Sequence, residues 1–170
     1  MKLPLALTAA LLCGAPIALA AVPLRPAVHC QIPCGIYGDS TRIDLLLEDA
    51  QTIEKGMQQI HELEGAEKPN YNQIVRWVAN KDEHAQSIQD QVAAYWLAQR
   101  IKAPAGGDAA VRAIYLRQLE LMHGITVAAM KCKQTTELSH VQALREHVHE
   151  FAATYFDEAA LEHMKAHHGK

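Results

Sequence analysis

Apolar residues recur along this chain at alternate spacings of three and four, the period at which one face of an α-helix meets a neighbour. Ile43, Leu46, Ala50, Ile53, Met57 and Ile60 form the first such row, predicting a helix capped by Asp39 or Ser40 and ended at Gly65. A second helix follows Pro69 and Asn70, turns Ile74, Trp77, Ile88, Val92 and Tyr95 inward, and stops before Pro104 and Gly106-Gly107. A third is predicted from about Asp108 to Met130 with Val111, Ile114, Leu121, Ile125 and Ala128 on one side. The fourth runs from about Leu138 to His163 on Val141, Leu144, Val148, Phe151 and Tyr155. Four helices joined by short loops predict an all-α protein, an up-down-up-down four-helix bundle over residues 40–165.

The first twenty residues break this pattern. Lys2, an apolar stretch from Leu3 to Leu19, and Ala18-Leu19-Ala20 have the form of an export signal with a small-residue cleavage site. A signal peptide at 1–20 predicts a periplasmic or extracellular protein, and the Pro-containing stretch 21–28 reads as a propeptide or tether. The 170 residues suit one domain, placed at 29–170. A net charge of −3 shows no basic surplus for nucleic acid or an anionic membrane face. Removing residues 1–28 takes Lys2 and Arg25 and no acid, leaving −5.

Three cysteines remain after that removal: Cys30, Cys34 and Cys132. The segment His29-Cys30-Gln31-Ile32-Pro33-Cys34-Gly35-Ile36-Tyr37 can curl into a compact hook, since Pro33 keeps Ile32 extended and Gly35 permits positive φ. A Cys30–Cys34 disulfide, a redox dithiol and a thiolate metal site compete for the two sulfurs. If cleavage makes His29 the N-terminus, its amine, the amide nitrogen and thiolate of Cys30, and the thiolate of Cys34 form a square of two nitrogens and two sulfurs. Such a set suits Ni(II) or Cu(II) better than tetrahedral zinc. The histidines at 140, 147, 149, 163, 167 and 168 are read as a solvated helix face and tail.

The hook HCQIPCGIY resembles the N-terminal hook of the nickel superoxide dismutases, with the pattern H-C-x-x-P-C-G-x-Y. Residues 73–78, 81–85 and 99–102 are similar to the second helix of one branch of that family. The resemblance implies a homohexamer of four-helix bundles with one nickel ion per subunit, converting superoxide to dioxygen and hydrogen peroxide, and a maturation protease that exposes His29. By resemblance His29, Cys30 and Cys34 are the metal ligands, the imidazole of His29 is axial, and Tyr37 stands over the vacant face of the metal. Asp44 is the nearest match to the carboxylate that orients the axial imidazole. His84 or Lys81 stands where some members carry a supporting arginine. Arg42, Lys81 and Arg76 are the candidate cations for attracting superoxide. The competing reading is an exported nickel- or copper-binding, or disulfide-stapled, helical module without catalysis.

Overall fold

The computed structural model describes Gly35 and residues 37–162. The ligands predicted at His29, Cys30 and Cys34, and the predicted segments 1–20 and 21–28, lie outside the described residues. Four α-helices form: α1 (Asp39–Glu64), α2 (Tyr71–Gln91), α3 (Ala109–Gln134) and α4 (Leu138–Tyr155). A π-helical segment, Val92–Arg100, continues α2. α1 packs on α2, α2 on α3, α3 on α4, and α4 closes the ring against α1. This is the expected up-down-up-down bundle. Among the described residues, no helix is long and apolar enough to cross a membrane.

The first stripe is buried at all six positions, and Ile88, Val92, Leu121, Ile125, Val141, Leu144, Val148 and Phe151 complete the core. Helix starts follow local chemistry. Asn70 Oδ1 accepts the Gln73 N–H, and Asp108 Oδ1 accepts those of Ala110 and Val111.

The structure departs from the sequence expectation in four places. Gly38, not Asp39 or Ser40, is the N-cap of α1, and no side chain caps it, because the Asp39 carboxylate is engaged elsewhere. α4 stops at Tyr155 instead of continuing to His163. Phe156 is extended, and Asp157 Oδ1 takes the Ala160 N–H to start a separate turn. Val111 and Ile114, predicted to face the core, are 48% and 52% exposed. α3 has 26 residues and its antiparallel partner α4 has 18, so the first turns of α3 run past the end of α4. Finally, His147 is not on a solvated face: its ring packs so closely on Gly124 that a Cβ there would come within 2.9 Å of it.

At the end of the bundle away from the hook, α1 and α2 approach closely where Gly56 faces Lys81. Lys81 is only 2% exposed, and its ammonium donates to the Cys132 and Lys133 carbonyls and to Asp82. These carbonyls end α3, where the helix dipole favours a cation. Cys132 beside it is fully buried, and burial pushes its thiol up to about 11.

Candidate metal centre

The start of α1, the end of the π segment and the end of α4 meet at one end of the bundle, and the hook leads into it. Gly35 adopts φ +73°, the left-handed conformation expected of it, directly after Cys34. Two residues later the Tyr37 ring lies over the Arg100 guanidinium, 4.3 Å from its centroid to Cζ. The Tyr37 hydroxyl donates to Gln99 Oε1 at 3.4 Å. Three residues of chain limit the Cα separation of Tyr37 and Cys34 to about 11 Å.

Arg100 is itself held. Its Nε and Nη2 donate to Asp39 at 2.9 and 2.6 Å, a two-pronged pairing that fixes the plane of the guanidinium. Asp39 also accepts the hydroxyls of Tyr95, at 2.5 Å, and Tyr155, at 2.8 Å. One carboxylate thus ties α1, the π segment and α4 together close to Tyr37. Burial alone would raise the Asp39 pKa, but the hydrogen bonds from Arg100, Tyr95 and Tyr155 outweigh it and hold the carboxyl below its usual range. Burial, and then the neighbouring Asp39 charge, push Tyr95 and Tyr155 up to about 12.

The π segment makes this arrangement possible. Its hydrogen bonds run across five residues, as in Ile101 N–H to the Trp96 carbonyl at 2.9 Å. Residues five apart therefore stand above one another, which brings Tyr95 and Arg100 to the same carboxylate. In an α-helix neighbours on a face are three and four apart, and that pair would diverge.

The predicted supporting residues are distributed unevenly. Tyr37 sits in this cluster. Arg42 is nearby, its guanidinium 4.8 Å from the Tyr95 ring centroid, and it borders an open groove of about 710 Å³ with Leu45, Asp49, Glu83 and Asp90. Asp44 is half-buried on α1. His84 pairs through Nδ1 with Asp49 Oδ1 at 2.6 Å. Lys81 is too far away to contribute to the hook: Gly56, which faces it, lies 17 residues up α1 from Asp39, roughly 26 Å. Arg76 is farther still along α2, so neither it nor Lys81 attracts an anion to the hook. Sequence reasoning missed Arg100, Gln99 and the role of Asp39. The resemblance over residues 99–102 was the one signal pointing there.

Among the described residues, no group of three or more His, Cys, Asp or Glu side chains could hold a metal ion. The donors present in the hook sequence, two thiolates beside an imidazole and a potential free amine, fit a nickel ion by their chemistry.

The family model for nickel-containing superoxide dismutase matches residues 24–159, which takes in the hook and the bundle. The chain therefore belongs to the nickel-containing superoxide dismutase family. It is an oxidoreductase acting on superoxide, with a nickel cofactor in each subunit. Membership sets aside the reading of a module without catalysis. No curated protein and no solved structure matches the chain.

Proposed function

We propose that this chain dismutates superoxide at the hook 29–37, with His29, Cys30 and Cys34 holding the nickel. The observation that carries the reading is the anchoring of Tyr37. Its ring is held by Arg100, which Asp39 fixes, within a few residues of the Cys34 thiolate. When bound there, nickel supplies one-electron chemistry between its +2 and +3 states.

The chain's own residues then have separate tasks. Tyr37 turns its hydroxyl from Gln99 to water or the small anion and narrows the approach. Arg100 and Arg42 place two cations beside the Tyr37 and Tyr95 rings within a subunit of net negative charge. Asp44 would orient the imidazole of His29 as it holds the metal. His84, paired with Asp49, supports this face of α1.

The same reading includes export by residues 1–20, removal of 21–28 by a maturation protease, location in the periplasm or outside the cell, and assembly into a homohexamer. The test is Cys34→Ser in the mature protein. A hydroxyl replaces a thiolate, so nickel content and superoxide turnover should both be lost while the helical far-ultraviolet spectrum stays unchanged. Turnover retained by Cys34→Ser would overturn the hook.

A further inference from the structure

The sequence has only nine aromatic residues, and six of them form one connected cluster that begins beside the hook. The oxidisable members run in order. The Tyr37 ring is 6.0 Å from Tyr95, Tyr95 is 5.1 Å from Trp96, and Trp96 is 5.2 Å from Tyr155. Phe151 packs against Trp96 and Tyr155 and encloses the inner part of the chain. Aromatic rings cluster in cores for packing alone. Packing does not ask for the polar attachments found here.

A phenol that loses an electron becomes a strong acid, so its oxidation needs a base within hydrogen-bond reach. Tyr95 and Tyr155 both have one, and it is the same one, Asp39. Trp96 is fully buried, and its indole N–H has no hydrogen-bond partner. It can pass charge as a radical cation without losing a proton. Base-served phenols therefore stand on either side of a proton-retaining indole.

We propose that Tyr37, Tyr95, Trp96 and Tyr155 form a relay that carries one-electron oxidising equivalents away from the hook thiolates to Tyr155 on α4. The inference rests on the hook assignment. The reaction makes hydrogen peroxide, and the oxidant to be disposed of is the hydroxyl radical formed when superoxide gives hydrogen peroxide one electron, leaving dioxygen and hydroxide. Tyr37 gives that radical a hydrogen atom, forming water and the Tyr37 phenoxyl. Tyr95 passes an electron to Tyr37 and its proton to Asp39, while Tyr37 regains a proton from solvent. Trp96 then reduces Tyr95, which takes its proton back from Asp39. Tyr155 reduces the Trp96 radical cation and gives its own proton to Asp39. Tyr155 is partly exposed, and its phenoxyl takes a hydrogen atom from a small thiol or ascorbate in the medium. Asp39 returns its proton to solvent, and the chain is restored.

The test exposes the mature nickel-loaded protein, containing ring-deuterated tyrosine, to hydrogen peroxide. Freeze-quenched samples are read by electron paramagnetic resonance, and oxygen addition to Cys30 and Cys34 is followed by peptide mass spectrometry. Tyr155→Phe keeps the ring and removes only the hydroxyl, so it is the primary variant, with Trp96→Phe as the second. A tyrosyl signal should appear in the unaltered protein and change its hyperfine pattern in both variants, where the hole stops at Tyr37 or Tyr95, while sulfur oxidation at the hook rises severalfold. Tyr115→Phe, outside the chain of rings, should change neither. Sulfur oxidation equal to the unaltered protein in both variants, with superoxide turnover intact, would overturn the relay alone. Nickel held elsewhere than Cys30 and Cys34 would overturn both relay and hook.

Discussion

The two ends of the bundle each draw a charged side chain inward, Lys81 fully and Asp39 in part, and they satisfy it in different ways. At the far end Lys81 is held mainly by main-chain carbonyls of α3, which any sequence would present there. At the hook end Asp39 is held by three side chains, Arg100, Tyr95 and Tyr155, drawn from two other elements. A charge served by carbonyls secures a helix end and goes no further. One served by side chains passes its orientation on, through Arg100 to the face of Tyr37. The far end serves stability alone; under the proposed function the hook end serves stability and turnover together.

Paired substitutions should break this contrast most sharply. Asp39→Ala leaves a part-buried guanidinium and two phenols without their acceptor and should cost about 3 kcal/mol or more of stability, together with a marked fall in turnover as Tyr37 loses its support. Lys81→Met removes an ammonium from the carbonyls of α3 and should cost about 1–3 kcal/mol with turnover per bound nickel unchanged. Urea unfolding and superoxide decay on the same preparations measure both. A turnover defect in Lys81→Met equal to that of Asp39→Ala would erase the distinction.

Proton linkage gives the next largest effect. The pKa values of Tyr95 and Tyr155 are raised on folding from the ordinary 10 to about 12. Their contribution is fully present below pH 10 and is lost as pH rises from 10 through 12. Asp39 has the opposite sign: its pKa is lowered, so its contribution is present above the ordinary carboxyl value and fades as pH falls through the lowered one. Stability measured against pH should therefore drop on the alkaline side, and that drop should shrink in Tyr95→Phe. An unchanged alkaline limb would show that burial and Asp39 do not raise the pKa of Tyr95.

The smallest effect should come from Tyr37→Phe. It loses one long hydrogen bond to Gln99 but keeps the ring on Arg100. It should retain nickel and most activity, at a stability cost of about 0.5 kcal/mol, while anion inhibition changes. Equal inhibition by azide in both proteins would remove the hydroxyl from the anion's surroundings.

The contrast also marks what the sequence made legible. The regular part of the bundle follows its apolar rows: all six α1 positions are buried, and the α4 row is buried up to Phe151. The row of α3 misled at Val111 and Ile114 because burial there depends on how far α4 extends, and Asp157 ends that helix. Arg100 was invisible to helical periodicity because the π segment changes the hydrogen-bonding step from four residues to five. Asp39 has the right residue type and position for a cap. It lost that role to partners as many as 116 residues away, which no local pattern encodes. The hook is the reverse case: its proposed chemistry is read from consecutive residues, 29–37, and from no contact across the fold.

The central claim is that the amine of His29 is a nickel ligand, which requires the chain to begin there. Intact-mass analysis of the active protein, with nickel content measured on the same sample, tests it. The account predicts a chain beginning HCQIPCGIY with about one nickel per subunit. Full activity from a chain that retains residues 21–28 would contradict it.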